Sequence, residues 1–180
     1  LLNESVNYDW QVRIVDQDLD LVKQKIEGHI NGVALSFNAL SAEERRPEIE
    51  LADIVISMLP ARFHVEIAQD CIDLRTHLIT PSYISPEMKA LDSQAKEAGI
   101  IIMNEIGVDP GIDHMSAMKI IDNIKERGGK VKGFKSFCGG LVAPESDNNP
   151  WNYKFTWNPR NVVLAGQGGA ACFIRNDQYK

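Results

Sequence analysis

An α/β fold built on a parallel sheet is what this sequence predicts, and three observations carry the reading. Over the first two-thirds of the chain, short apolar runs alternate with longer amphipathic ones, the pattern of parallel strands covered by helices. Residues 53–58 (DIVISM) form a continuous apolar stretch, expected of a parallel strand buried on both faces. An acid, Asp16, closes the run QVRIVD, where dinucleotide-binding folds keep a carboxylate at the tip of their second strand. Together these predict a Rossmann-type sheet. No G-x-G-x-x-G turn precedes Gln11 or follows a strand elsewhere, so the fold is expected to lack its first strand and Gly-rich loop. A texture change after Asp109-Pro110-Gly111 places a domain boundary near 110, between a truncated dinucleotide-binding domain (1–110) and a second domain (111–180).

The elements follow in order. Residues 1–7 read as the end of a helix, leading into a strand at 11–16. A helix is expected over 18–27 and a strand over 32–37 (GVALSF). Ser41 and Glu44 have the spacing of a capping box, which starts a helix that runs to Glu50 with Pro47 inside it. The strand at 53–58 is followed by a helix over 62–74 and a short strand at 77–80. Ser85 is placed as the N-cap and Pro86 as the first residue of the next helix. Gly99 closes that helix as a C′ residue, and IIIMN (100–104) is a further strand. A helix over 112–127 stops at Gly128-Gly129, and residues 130–137 (KVKGFKSF) alternate as a strand. Beyond them lie a Gly/Pro/Asn-rich stretch (139–150) and the aromatics Trp151, Tyr153, Phe155 and Trp157. The Gly-rich segment 166–169 follows a helix-like run and reads as a helix end.

The 180 residues are enough for a core that buries roughly 70% of the unfolded chain's surface. A net charge of −6 argues against nucleic acid or an anionic membrane as the main partner. No apolar run approaches the ~20 residues that span a bilayer. The start lacks a signal segment and an initiator Met, which reads as an internal piece of a longer protein. Cys71, Cys138 and Cys172 are odd in number and widely spaced; that favours a reducing, cytoplasmic setting over a disulfide framework. His29, His64 and His77 offer no metal-ligand spacing, and no metal site is expected.

The chemistry-bearing residues sit where strands end. Asp16 is placed to accept hydrogen bonds from adenosine ribose hydroxyls and to repel a 2′-phosphate, which tilts the coenzyme toward NAD over NADP. The alternative is a surface acid or helix cap, a role open to Asp18 as well. Asn38 could reach the adenine or simply make a turn. The segment 57–60 (SMLP) lies at the carboxyl end of its strand, open to a cofactor-contacting backbone or a plain turn. Ser82, Tyr83 and Asp109 fall on the same expected rim, and a phenol and a carboxylate suit the binding of a polar substrate. His114 and Asp113, early in a helix, read as structural, and Cys138 reads as a small buried hydrophobe.

Three motifs add a resemblance. The segments SYISP (82–86), NEIGVDPGIDH (104–114) and CGGLVAPE (138–145), with Asn149-Pro150 and YKF (153–155), resemble the saccharopine dehydrogenase family, most closely its glutamate-forming branch. The resemblance covers the chain from about residue 10 onward. It implies a Rossmann domain followed by an α+β substrate and dimerisation domain, of which residues 111–180 would be the start, in an NAD(P)-dependent oxidoreductase of lysine metabolism, homodimeric when intact. Such an enzyme interconverts saccharopine with glutamate plus α-aminoadipate semialdehyde. It also implies that Leu59, Pro60, Val108, Asp109 and Pro110 line the nicotinamide side of the cofactor, with Asp16 and Gln17 at the adenosine ribose. Ser82 and Tyr83 would hold saccharopine, with Cys138 and Trp157 close to it.

Hydride transfer to or from the carbon of a secondary amine is the chemistry implied. Orientation and charge placement are then the protein's main tasks, and Asp109 and Tyr83 are the candidate catalytic residues. Related amine or imine dehydrogenases, acting on carboxynorspermidine or on lysine at its side-chain amine, are the enzymatic alternatives. A non-catalytic fragment is the alternative from another class. Strands left without a central neighbour also predict marginal stability.

Overall fold

Helix α1 (Leu2–Tyr8) leads directly into strand β1 (Val12–Asp16), as the sequence predicts. The turn between them is fixed by Ser5, fully buried. Its hydroxyl donates to Leu2 O (2.6 Å) and accepts from the Asn31 side chain (3.1 Å). The computed structural model describes residues 1–137, 140–155, 159–165, 172–176 and 178–180. Two compact units divide at Val131 and Lys132.

In the first unit the order continues through α2 (Leu19–Ile26), β2 (Gly32–Ser36), α3 (Ala42–Glu50) and β3 (Ile54–Ile56). After a 3-10 turn over Ala61–Phe63 come α4 (His64–Leu74), β4 (His77–Ile79), α5 (Pro86–Ala90), α6 (Asp92–Ala98), β5 (Ile102–Met103) and α7 (Ile112–Glu126). All strand pairs in this unit are parallel, but they form two sheets: β1 with β2, and β3-β4-β5. Each of β1 and β3 therefore has one paired edge only, the arrangement expected of a parallel sheet without its central strand.

Local chemistry sets most boundaries as read. Asp18 caps α2, accepting from the N–H groups of Asp20 and Leu21 at 3.0 Å, and Ser85 caps α5 through Met88 N–H (3.1 Å). Gly99 ends α6 in the left-handed region. At α3 the expected capping box does not form. The Ser41 side chain makes no cap bond; Glu44 instead accepts from Asn38 N–H (3.3 Å), satisfying a turn donor upstream of the helix.

The main core lies between α4, α5 and α6 and one face of β3-β4-β5. It holds Ile67, Ala68, Cys71, Leu78, Leu91 and Ile100. A charged cluster closes its flank: Arg45 Nε donates to Asp70 Oδ2 at 2.6 Å with both residues buried, and Arg46 reaches Asp70 Oδ1. Here the expectation of a strand buried on both faces is corrected. Ile54 and Ile56 are 52% and 45% exposed, as are Ile101 (59%) and Met103 (46%) beside them. Within this unit helices cover only the opposite face, and these side chains find no cover there. A single ion pair, Arg13 with Glu48, ties β1 to α3 (Arg13 Nε to Glu48 Oε2, 2.9 Å).

The second unit holds a 3-10 turn over Pro144–Ser146, helix α8 (Pro159–Ala165) and an antiparallel hairpin of β6 (Ile174–Arg175) and β7 (Gln178–Tyr179). Residues 130–137, expected as a strand, carry no regular structure. Alternation alone does not make a strand without a neighbour to pair with, and none pairs there among the described residues. No described helix is long and apolar enough to cross a membrane.

Candidate active site at the strand ends

The carboxyl ends of β4 and β5 are joined by backbone bonds that continue beyond the strands. Thr80 N–H donates to Met103 O (2.9 Å), Ile106 N–H to Thr80 O (3.1 Å) and Glu105 N–H to Ser82 O (3.0 Å). The Glu105 carboxylate returns the contact, accepting from Ile84 N–H at 3.2 Å. This zipper holds the loop carrying Ser82 and Tyr83 against the loop that leads to Asp109.

The second loop then reverses sharply. Gly107 N–H donates to Pro110 O (2.8 Å) and Ile112 N–H to Gly107 O (2.9 Å). Gly111, at φ 145°, passes so close that a Cβ would collide with the Gly107 backbone; only glycine fits. The turn buries Pro110 and lifts Val108 and Asp109 to the surface. Asp113 secures its far side, accepting from Gly111 N–H (3.0 Å) and facing His114 Nδ1 at 2.7 Å. Partial desolvation pushes the Asp113 carboxyl up, but these bonds outweigh it and hold it below its usual range.

The result is a contact between two predicted site residues: the Tyr83 hydroxyl donates to Asp109 Oδ1 at 3.3 Å. Desolvation, then the negative charge of Asp109, raises the Tyr83 phenol above its ordinary value, with Asp113 and Glu105 adding to the effect. Tyr83 is therefore a neutral hydrogen-bond donor at neutral pH, beside a rim rich in carboxylates. A cleft of about 270 Å³ opens behind this turn, lined by Glu105, Pro110, His114 and Met115 among others. Another, of about 480 Å³, lies between the start of α4 and α5, lined by Arg62, Glu66 and Ser85; it contains none of the predicted site residues.

A second cluster lies at the ends of β1 and β2. Asp16 is exposed, and its Oδ1 accepts from Asp18 N–H at 3.0 Å. Its neighbour Gln17 accepts through its carbonyl from the Ser36 hydroxyl at 3.0 Å. Since Asp18 caps α2, Asp16 Oδ2 is left for a ligand hydroxyl. These residues fit a ribose. Asn38 closes a turn, its side chain accepting from Leu40 N–H at 3.1 Å. At the end of β3, Leu59 packs against the core while Pro60 is exposed. Cys138, Trp157 and the segment 166–169 lie outside the described residues.

Sequence reasoning missed His64. Its ring is 2% exposed and sits between two hydroxyls, with Nδ1 3.0 Å from Ser57 Oγ and Nε2 2.9 Å from Ser82 Oγ. Burial lowers its pKa. The available signal was a serine at a strand's end followed seven residues later by a histidine opening the next helix.

Known proteins resemble this chain along nearly its whole length. The model of the saccharopine dehydrogenase NADP binding domain matches residues 1–103, and that of the saccharopine dehydrogenase C-terminal domain matches residues 107–180. The saccharopine dehydrogenase [NADP(+), L-glutamate-forming] of Pyricularia oryzae is 41% identical over 163 residues, 91% of this chain and 36% of that protein. The alpha-aminoadipic semialdehyde synthase of Arabidopsis thaliana is 43% identical over 162 residues, 90% of this chain and 15% of that one. Among solved structures, apo saccharopine dehydrogenase (L-Glu forming) from Saccharomyces cerevisiae superposes with a TM-score of 0.78 at 36% identity, covering 99% of this chain and 40% of that one. The chain thus spans well under half the length of each. NADP is the coenzyme in the names of the fungal relative and the family model, which lend no support to the lean toward NAD.

Proposed function

The chain belongs to the saccharopine dehydrogenase family, and from that premise we propose that it supplies part of the active site of a glutamate-forming saccharopine dehydrogenase. The reaction is the NADP-linked interconversion of saccharopine with glutamate plus α-aminoadipate semialdehyde. The observation that carries the proposal is the Tyr83–Asp109 contact at the strand ends, where open parallel sheets bind their ligands.

The nicotinamide, when bound, supplies the hydride acceptor or donor. The remaining work is orientation and charge placement. Asp109, exposed at the tip of its turn, offsets the positive charge of an amine or iminium. Tyr83 holds that carboxylate by donating to it and stays neutral, so its hydroxyl oxygen accepts from a substrate N–H. Ser82 offers a hydroxyl to a substrate carboxylate. Val108 flanks the nicotinamide side, and Leu59 and Pro60 border it from the end of β3. Asp16 and Gln17 face the adenosine ribose.

The test is turnover by the enzyme expressed from its whole reading frame. Saccharopine-dependent formation of NADPH is the expected result; turnover of carboxynorspermidine or lysine without saccharopine would overturn the assignment. Parallel titrations with NADPH and NADH decide the coenzyme. The relatives favour NADPH, whereas Asp16, a carboxylate with no adjacent cation in the sequence, favours NADH, and tighter NADH binding would reverse that part of the proposal.

A further inference from the structure

We infer that His64 is a positioning residue, tying the loop after β3 to the loop after β4 and aiming the Ser82 hydroxyl at a substrate carboxylate. The inference deepens the function proposed above and rests on it for the identity of the substrate group. The geometry is a continuous chain, Ser57 Oγ to His64 Nδ1 (3.0 Å) and His64 Nε2 to Ser82 Oγ (2.9 Å). Ser57 and His64 are 4% and 2% exposed, whereas Ser82 is half-buried at the rim.

Both partners of the ring are neutral hydroxyls, and burial favours the uncharged imidazole. A neutral imidazole has one donor and one acceptor nitrogen, so the direction of the whole chain is set at its open end. A carboxylate only accepts. Ser82 must therefore donate to it and accept from His64 Nε2–H, and His64 Nδ1 accepts from Ser57 O–H. The remaining anchors of Ser82 are backbone: its N–H faces Thr80 Oγ1 at 3.3 Å and its carbonyl takes Glu105 N–H. Neither fixes the hydroxyl. His64 is the group that does.

Three variants in the enzyme from the whole reading frame separate positioning from packing. The amide of His64→Gln reaches the place of Nε2, that of His64→Asn the place of Nδ1, and His64→Leu reaches neither. The expected result is a saccharopine KM raised about tenfold or more in Asn and Leu, within about threefold of wild type in Gln, with coenzyme KM and kcat little changed throughout. Adding Ser82→Ala to His64→Asn should cost little beyond Ser82→Ala alone. Equal losses in Gln and Asn, or additive losses with Ser82→Ala, would overturn the inference.

Ring ¹⁵N shifts of wild-type His64 give a second test that survives poor folding of the variants. A neutral ring, with Nε2 protonated once saccharopine is bound, is expected; protonated Nδ1 or a ring titrating like a free histidine would refute it. If the wild type does not use saccharopine, the proposed function fails. The ligand-free spectrum still judges His64: a ring titrating normally would remove the positioning role independently.

Discussion

The Tyr83 hydroxyl donates to Asp109 Oδ1 over 3.3 Å, although 26 residues separate the two in sequence. Adjacent parallel strands bring them together, because β4 and β5 pair in register and their loops continue the pairing through Thr80, Ser82 and Glu105. Side chains carried on loops zipped in this way are placed by the sheet itself. They do not have to be ordered when a ligand arrives, which saves conformational entropy on binding.

Neutralising Asp109 tests that relationship. In Asp109→Asn the Tyr83 phenol should titrate closer to its ordinary value, since the negative charge that helps to raise it is gone. The ζ-carbon shift of Tyr83 followed against pH checks this, and an unchanged midpoint would show that the two groups do not interact. In the enzyme from the whole reading frame the same substitution should lower kcat/KM about tenfold or more, or ~1.4 kcal/mol of transition-state stabilisation.

Much of this arrangement was legible in the sequence because parallel strands and helix caps are local signals. Ser85 with Pro86 opens and Gly99 closes a helical stretch as the sequence predicts, although the single helix expected between them breaks at Leu91 into α5 and α6. Ser41 and Glu44 failed as a capping box because Glu44 found a donor upstream, at Asn38. The apolar run of β3 predicted burial, but burial depends on a cover that lies elsewhere in the chain, and Ile54 and Ile56 find none within the first unit. His64 carried only a weak local signal, the serine seven residues before it at the end of β3. Its partners lie at the ends of two different strands, so only the fold reveals what it joins.

Asp70 anchors two arginines from α3 at the edge of the core. Replacing it with alanine strands the Arg45 guanidinium, 8% exposed, with Leu40 O as its remaining acceptor. A loss of about 3–5 kcal/mol in urea unfolding is expected. The double variant Arg45→Met, Asp70→Leu should recover most of it, because no charge is then left buried. A single variant costing under about 1 kcal/mol would show that water reaches the pair.

Cys71 predicts a pH dependence. Burial pushes its thiol up to about 12 from 9.0, and the side chain is fully buried. The unfolded chain therefore releases this proton first as pH rises, and the folded state binds more protons between about 9 and 12. Stability must fall with rising pH across that window, by about 1 kcal/mol between pH 9 and 10, and be little affected below pH 8. Cys71→Ala should flatten this part of the curve. An identical slope in the variant would assign the loss to other groups. Alkylation under native conditions should reach Cys172, which is exposed, and leave Cys71 unmodified.

Stability should also be uneven along the chain. The main buried cluster lies on α4, α5, α6 and one face of β3-β4-β5, whereas β1 and β2 are covered chiefly by Val22 and Ile26 of α2. Strand β4 is paired on both edges, with Leu78 N–H bonded to Ile101 O on the β5 side and Ile79 O accepting from Ser57 N–H on the β3 side; β1 is paired on one. Opening β1 and β2 therefore exposes little apolar surface and breaks one ladder, while opening β4 breaks two and uncovers the core. Native-state hydrogen exchange should show β4 amides at least about tenfold more protected than those of β1 and β2, a gap of ~1.4 kcal/mol or more in opening free energy. Urea unfolding should be broad, the β1–β2 amides exchanging before the bulk helical signal is lost. Uniform protection across both sheets with one sharp transition by every probe would mean that α3, through Arg13–Glu48 and its packing on α4, couples the two sheets into a single cooperative unit.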